Sequence, residues 1–405
     1  MTRLFYGWWV VAAAFTVCFV GFGNAYTFSA FLGSLQHDFG ATRASVSLVF
    51  SIAGFLYFGL GVLSGPLADR IGARPLALFG MVLVGLGLIG ASFAQALWQV
   101  YVAYGIGIGF GVGAAYVPCL GPVQRWFVKR RGFASGLAVA GIGVGTLVMP
   151  PLATWLIGLE GWRRAYLILG LIAIVLGVGM SLFIVDHPRQ RGVHPDGSAQ
   201  GADVISHGHE WAEALKSRTF LTLYIACLVS SFGLFVPFVH LIPYAIDHGV
   251  PAGAASLLLG LIGVGSTVGR FFLGGLADKV GRINALLLMF LGMGVSLGIW
   301  AYSSGFVALG AFALAYGFFQ GGYVAIAPAL IADLFGGKNV SGIMGALFTS
   351  VAFGTLVGPT LAGYAYDVSA SYLLPILGAM GLNFVAARIL AGLSRSLRRT
   401  SPQGS

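Results

Sequence analysis

The chain has 405 residues, of which 58% are hydrophobic and 8% are charged, whereas soluble domains average roughly 45–50% apolar and about 25% charged residues. This composition excludes a water-soluble globular protein, because too few charged side chains are present to cover its surface. The formal net charge of +10 does not indicate nucleic-acid binding, because most basic residues lie in short loops beside apolar segments. Runs such as 81–94 are apolar on every side, which favours helices over a transmembrane β-barrel.

Twelve apolar segments of membrane-spanning length are expected to form helices, which makes the chain an all-α integral membrane protein. Their approximate limits are 8–33, 44–67, 75–94, 97–123, 132–157, 164–185, 219–246, 252–276, 283–302, 305–331, 340–365 and 370–392.

A long polar segment after the sixth apolar run predicts the domain organisation. We expect an N-terminal six-helix bundle at 1–186, a linker at 187–217, a C-terminal six-helix bundle at 218–394 and a tail at 395–405. The end of the linker, 210–216, is typical of a short amphipathic helix on a membrane surface.

The distribution of basic residues predicts the orientation of the helices. With both termini in the cytoplasm, most Lys and Arg residues lie inside and only Arg43, Arg163 and Arg164 lie outside. This arrangement follows the positive-inside rule. We therefore expect a multi-pass protein with cytoplasmic termini.

The cysteine and histidine patterns indicate neither a disulfide framework nor a metal site. Cys18, Cys119 and Cys227 all lie inside apolar segments. His207 and His209 lie in the polar linker without a nearby cluster of further ligands. No metal and no cofactor are expected.

The loops after the second and eighth apolar segments share a motif. The first reads Gly-Pro-Leu-Ala-Asp-Arg-Ile-Gly-Ala-Arg at 65–74, and the second reads Gly-Gly-Leu-Ala-Asp-Lys-Val-Gly-Arg at 274–282. This repetition predicts two duplicated six-helix units. The duplicated motif resembles the signature of the major facilitator superfamily, which implies two bundles that expose a central cavity to one side at a time. The charged residues expected to form its gating latch are Asp69, Arg70, Arg74, Asp278 and Arg282.

Arg270 is the most informative single position, because it lies inside the eighth apolar segment between Gly269 and Phe271. A charge at such a depth costs at least about 2.5–3.5 kcal/mol and requires compensation. A guanidinium that faces a cavity can hold a carboxylate through two parallel hydrogen bonds. Arg270 is therefore a candidate substrate anchor, and a structural pairing or an extended side chain that reaches the membrane surface is the alternative.

The seventh apolar segment supplies two further candidates, His240 and Asp247. Their spacing of seven residues places them on one helix face unless Pro243 bends the helix. His240 could bind substrate or relay a proton, or it could simply bond two helices together. Asp247 could carry a proton and pair with Arg270 or His240 when ionised, or it could be an ordinary loop acid.

A narrower resemblance rests on three parts of the sequence: Tyr-Gly-Trp-Trp-Val-Val at 6–11, the Pro-Phe-Val-His and Pro-Tyr-Ala-Ile-Asp stretches at 237–247, and Gly269-Arg270. Together they resemble bacterial homologues of monocarboxylate transporters. The resemblance implies proton-coupled transport of a small monocarboxylate such as lactate or pyruvate. It also implies that Arg270 binds the carboxylate, while His240 and Asp247 take part in binding and proton coupling.

The sequence departs from the animal members of that family and from a related group. Animal members carry an acid where this chain has Ser266, and a Lys in the region matching 26–28, so their proton relay does not carry over. Oxalate/formate exchangers also resemble the chain but hold a Lys in the eleventh segment, which has no Lys or Arg here at 341–366. One fixed positive charge suits a monoanion better than a dianion.

Weaker cavity candidates are polar and aromatic residues near the middle of other segments. They are Asn24, Phe28, Tyr116, Gln320, Tyr323 and Phe353.

We therefore expect a secondary active transporter that symports a small monocarboxylate with a proton by alternating access. An organic-anion exchanger, or an exporter of another amphipathic compound, is the alternative, and a non-transporting membrane sensor or scaffold also remains open. An enzyme is not expected, since no nucleophile, base and oxyanion donors cluster in the sequence. The expected partners are a small carboxylate, protons and the lipid bilayer of a bacterial inner (plasma) membrane. The protein is expected to work as a monomer and not to bind nucleic acid.

Overall fold

The structure is a computed structural model that describes residues 5–127, 131–195, 211–336 and 340–400, without the side chains of 69, 131, 132, 278, 340, 341 and 398–400. Within these ranges, 10 helical runs are long and apolar enough to cross a membrane, and a bent helix pair adds one more. One of the runs, Phe133–Ser181, is divided at Gly161, whose φ of 77° interrupts the helix. The division gives twelve membrane-spanning helices in the described part of the chain.

The helices are numbered here in chain order. They are α1 (Gly7–Tyr26 and Phe28–Phe39), α2 (Arg43–Gly59 and Gly61–Ile71), α3 (Ala73–Ser92), α4 (Leu97–Trp126), α5 (131–160), α6 (162–181), α7 (Arg218–Leu234 and Val236–Asp247), α8 (Ala252–Val280), α9 (Arg282–Ala301), α10 (Phe306–Phe335), α11 (Val340–Ser369) and α12 (Leu373–Thr400).

Breaks in α1 and α7 occupy corresponding places in the two halves of the chain. In α1 the break falls at Thr27, whose hydroxyl donates to the Asn24 carbonyl at 2.6 Å. In α7 it falls at Phe235, immediately before a segment with Pro237 in its first turn. Proline lacks the amide hydrogen that would continue the preceding helix. Both breaks lie beside a contact between the halves, in which the Ser29 hydroxyl donates to the Val239 carbonyl at 2.8 Å.

The two bundles meet along α2 with α11 and along α5 with α8. Small residues permit the close approach, as membrane helices require. A Cβ atom at Gly54 would overlap the Thr355 side chain, and one at Gly143 would overlap the Thr267 side chain. The space between the bundles is consequently narrow.

One end of the molecule carries the loops after α2 and α8 together with the helix Trp211–Lys216, and we call this end the linker side. The helix Trp211–Lys216 agrees with the surface helix expected at 210–216, although residue 210, His207 and His209 lie outside the described residues. It packs against α11, where a Cβ at Gly342 would lie 2.9 Å from the Trp211 ring. The opposite end carries the connections from α1 to α2 and from α7 to α8.

Candidate functional site

A cavity lies between the two bundles, near the middle of the helices. It has a volume of about 10 Å³, the room of about one water molecule. In this conformation the bundles have therefore closed around the space. The lining residues are Tyr26, Ile142, Gly143, Thr146, Phe238, Ile262, Gly263, Ser266, Arg270 and Gln320.

Arg270 brings a positive charge to this cavity from α8. Its Nη1 donates a hydrogen bond to the carbonyl oxygen of Val139, on α5 of the opposite bundle, at 2.8 Å. Its Nε is buried and has no hydrogen-bond partner. Among the described residues, no Asp or Glu side chain forms an ion pair with it. The guanidinium therefore keeps donors available for an anion, in surroundings where charge is costly.

The other residues around Arg270 are aromatic or uncharged. Tyr26 and Tyr116 are among its electrostatic neighbours, and Tyr26 packs against Phe238 with ring centroids 4.7 Å apart. Tyr26 and Phe238 were not among the sequence candidates. The sequence offers a signal only for Phe238, which follows Pro237. Nothing in the sequence marks the helix break beside Tyr26.

His240 and Asp247 do not lie in this cavity with Arg270. They belong to a second cluster toward the opposite end of the molecule, which we call the outer gate. It consists of Arg43 from α2 together with His240, Asp247, Tyr366 and Tyr372 from the C-terminal bundle.

Arg43 is the centre of the outer gate. Its Nη2 lies 2.8 Å from one carboxylate oxygen of Asp247, and its Nη1 donates to the Tyr372 hydroxyl at 2.6 Å. The guanidinium also lies over the Tyr366 ring, 3.9 Å from its centroid. Because Arg43 belongs to the N-terminal bundle and its partners to the C-terminal bundle, these contacts hold the two bundles together.

A second carboxylate, Asp367, strengthens the same contact. It accepts hydrogen bonds from the backbone amides of Arg43 at 3.0 Å and Ala44 at 2.9 Å. These amides belong to the first turn of α2, where helix amides lack partners of their own. Asp367 therefore caps a helix of the other bundle.

His240 is fully buried and bonded on both sides. Its Nε2 lies 2.9 Å from the carbonyl oxygen of Pro359, and its Nδ1 lies 3.0 Å from the Tyr372 hydroxyl. Since a carbonyl only accepts, Nε2 carries the hydrogen and Nδ1 accepts from Tyr372. Burial raises the pKa of the Tyr372 phenol, which keeps its hydroxyl protonated as this donor. Hydrogen bonds thus run from Arg43 through Tyr372 and His240 to α11.

The weaker candidates lie in different parts of the structure and do not form one site. Phe28 has 0% exposure and packs against Phe50 and Tyr104 in the N-terminal bundle. Phe353 of α11 is 48% exposed and packs against Phe55 of α2, with ring centroids 5.6 Å apart. Neither residue is among those that line the cavity.

Three candidates lie deeper in the bundles. Asn24 is buried and donates to the Val20 carbonyl at 2.8 Å, while its side-chain oxygen has no partner. Tyr323 packs against Phe290 with ring centroids 5.6 Å apart. Tyr116 packs against a ring of α1 and stands near Arg270. Within the described residues, no group of three His, Cys, Asp or Glu side chains could hold a metal ion.

The motif loops lie on the linker side. Arg282 forms an ion pair with Asp333 at the end of α10 and donates to the Ala329 carbonyl at 3.2 Å. Asp186, which sequence reasoning did not single out, caps α3 by accepting from the Ala73 amide at 2.9 Å. Arg70 and Arg74 are exposed, and the side chains of Asp69 and Asp278 lie outside the described part of the structure.

Comparison with known proteins agrees with this architecture. A model of the Major Facilitator Superfamily matches residues 13–316 and 233–404. Monocarboxylate transporter 13 of Bos taurus is 30% identical over 370 residues, which cover 91% of this chain and 84% of that protein. Monocarboxylate transporter 3 of Rattus norvegicus is 32% identical over 379 residues, covering 90% of this chain and 76% of that protein.

A solved structure gives the same fold. It is the crystal structure of a bacterial homolog of the human lysosomal transporter Spinster, in an inward-facing and unoccupied conformation. The TM-score is 0.76 at 15% identity, and the match covers 99% of this chain and 100% of the other. The sequence matches, the twelve-helix arrangement and this likeness show that the chain belongs to the Major Facilitator Superfamily and is related to the monocarboxylate transporters.

Proposed function

We propose that the protein is a secondary active transporter that moves a small monocarboxylate, such as lactate or pyruvate, together with a proton by alternating access. The observation that carries the proposal is Arg270, a buried guanidinium between the bundles that has a free Nε donor and no described acidic partner. Kinship with the monocarboxylate transporters supports the same substrate class.

The proposed role of Arg270 is to hold the carboxylate. Its present bond to the Val139 carbonyl is made by a neutral acceptor of the opposite bundle, so a carboxylate would be a stronger partner. When the bundles separate, Nη1 loses this carbonyl and becomes available to an anion in addition to Nε. A bound monoanion then cancels the positive charge of Arg270, and the neutral site favours reclosure of the cavity around the anion.

The proposed role of the outer gate is to couple the proton to the carboxylate. Protonation of Asp247 removes the negative charge that holds Arg43, which weakens the link between the bundles at that end. The opened gate admits the anion to Arg270, and the neutral, anion-loaded site recloses. For symport, Asp247 then releases its proton toward the linker side, where the anion also leaves, and this loss restores the ion pair with Arg43. His240 would transmit the same change to α11, because Tyr372 bonds to both Arg43 and His240.

The proposed orientation places the linker side and both termini in the cytoplasm of a cell with the protein in its inner (plasma) membrane. The support is the excess of basic residues in the loops and tail at that end. The outer gate then faces the outside of the cell. We propose that a single chain is sufficient for transport, because the cavity is formed by the two halves of one chain.

The test is uptake of radiolabelled L-lactate into proteoliposomes with an imposed inward proton gradient. For one proton per monoanion, one pH unit corresponds to about 1.36 kcal/mol and drives about tenfold accumulation. Transport is then electroneutral, so a potassium-diffusion potential at constant pH should leave the rate unchanged. Strong stimulation by the potential would contradict one-to-one coupling. Uptake that depends on internal counter-substrate and not on the proton gradient would favour an organic-anion exchanger.

A further inference from the structure

A polar pair lies beside Arg270 in the cavity wall. Ser266 precedes Arg270 by four residues on α8, so the two side chains share one helix face. The Ser266 hydroxyl donates to the side-chain oxygen Oε1 of Gln320 on α10 at 3.2 Å. Both residues line the cavity and both are only 5% exposed. Two buried polar side chains are thus held one helical turn from the guanidinium.

Close backbone packing fixes the position of this pair. A Cβ atom at Gly321 would overlap the backbone of Ser266, and one at Gly317 would overlap the backbone of Ile262. In the other direction, a Cβ at Gly269 would overlap the backbone of Phe318. Since interlocked helix backbones leave little freedom to slide, Gln320 stays next to Ser266 and close to Arg270.

The hydrogen-bond direction determines what Gln320 offers to a ligand. Because its Oε1 accepts from Ser266, the amide nitrogen is the side-chain group left for another partner, and it can only donate. This nitrogen donates to no acceptor among the described residues. The guanidinium of Arg270 also only donates. The wall therefore presents two separate donors, one suited to a carboxylate and one suited to a neighbouring oxygen acceptor.

From this geometry we propose that Gln320 is a specificity-determining residue that binds the oxygen on C2 of the substrate, and that Ser266 is its positioning residue. The site then selects 2-hydroxy and 2-oxo monocarboxylates over acids without a C2 oxygen. A 2-amino acid is disfavoured, because its ammonium group would meet donors and the positive charge of Arg270. The inference rests on the proposed function, in which Arg270 holds the carboxylate.

The experiment measures how much unlabelled acid halves the uptake of radiolabelled L-lactate into proteoliposomes. The competitors are L-lactate, pyruvate, propionate, which lacks the C2 oxygen, and L-alanine. The wild type should require about fivefold to tenfold more propionate than L-lactate, as expected for one buried hydrogen bond, and L-alanine should compete least. In Gln320→Leu the concentrations of L-lactate and pyruvate that halve uptake should rise to that of propionate. The concentration of propionate that halves uptake should stay within about twofold of its wild-type value.

Ser266 variants provide a second test, because they remove or keep the hydroxyl that positions Gln320 without altering Gln320 itself. Ser266→Ala should reduce the preference for L-lactate over propionate, and Ser266→Thr, which keeps the hydroxyl, should restore it. An equal rise of all competitor values in Gln320→Leu would show a packing role and overturn the inference, as would an unchanged preference in both Gln320→Leu and Ser266→Ala. A wild type that takes up no L-lactate and binds none of these acids would instead overturn the proposed function.

Discussion

Charged residues in the bundles are compensated in two different ways. Asp247 and Asp38 each pair with an arginine, at 2.8 Å with Arg43 and at 2.7 Å with Arg163. Arg270 has a backbone carbonyl and no described acid. A paired charge is a suitable switch, because protonation of the acid breaks the pair, whereas an unpaired cation is a suitable binding group.

This difference leads to a prediction for Asp247→Asn, which mimics the protonated acid. The variant should still exchange labelled for unlabelled L-lactate across the membrane, because Arg270 is intact. It should lose the proton-driven accumulation of about tenfold per pH unit, because the charge that responds to protonation is gone. Counterflow and gradient-driven uptake in proteoliposomes measure the two properties separately.

Asp38→Asn is the matched control, since Asp38 lies at the same end of the molecule and pairs with Arg163 within the N-terminal bundle. It should keep both counterflow and accumulation. Normal accumulation by Asp247→Asn would remove Asp247 from proton coupling and leave His240 as the group to test.

Some of these residues are easier than others to recognise as functional candidates from the sequence. Arg270 stands out because a charge within an apolar segment is costly wherever its helix packs. Asp247 also stands out, but its partner does not: Arg43 is 204 residues away in the other half, and only the packing of the bundles brings them together. Gln320 is a weak signal, because a neutral polar side chain can bond to any neighbouring helix.

Glycine residues determine how closely α8 and α10 approach each other. This contact positions the candidate substrate-binding residues. A Cβ at Gly269 would overlap the carbonyl group of Phe318, whereas a Cβ at Gly274, five residues later on α8, would meet no atom within 4 Å. The two positions therefore separate the effect of close packing from that of helix propensity.

Gly269→Ala should destabilise the protein by about 1–3 kcal/mol, the usual effect of overpacking. Gly274→Ala should be neutral or slightly stabilising, since alanine favours a helix over glycine by roughly 0.8–1 kcal/mol. Thermal unfolding of the purified proteins in detergent, followed by tryptophan fluorescence, measures the difference. Equal Tm values for the two variants would contradict the proposed role of this contact.

At the scale of helices, the number of spans was predictable and their shape was not. Membrane thickness requires about 20 apolar residues per helix, so length and composition predict twelve segments. The breaks at Thr27 and Phe235 lie inside apolar runs, so the hydropathy of those runs does not reveal them. The separation of α5 from α6 depends on the single residue Gly161, because its φ of 77° is readily adopted only by glycine.

The whole molecule is closed at the outer gate and nearly closed at its centre. The linker side also keeps a contact between bundles, since a Cβ at Gly345 of α11 would lie 3.1 Å from a methyl group of Val62 on α2. With a central cavity of about 10 Å³, a carboxylate can enter only after one end opens. The duplicated motif predicted the two bundles, but which contacts close each end follows only from their packing.

The central claim, that Arg270 anchors a monocarboxylate moved together with a proton, is tested most directly by gradient-driven L-lactate uptake with Arg270→Gln. Arg164→Gln is the matched control, because it removes the same charge from a side chain with 72% exposure. Hydrogen bonds to charged groups contribute roughly 1.5–3 kcal/mol, so uptake by folded Arg270→Gln should fall at least about tenfold while Arg164→Gln resembles the wild type. Undiminished uptake by Arg270→Gln would contradict the account.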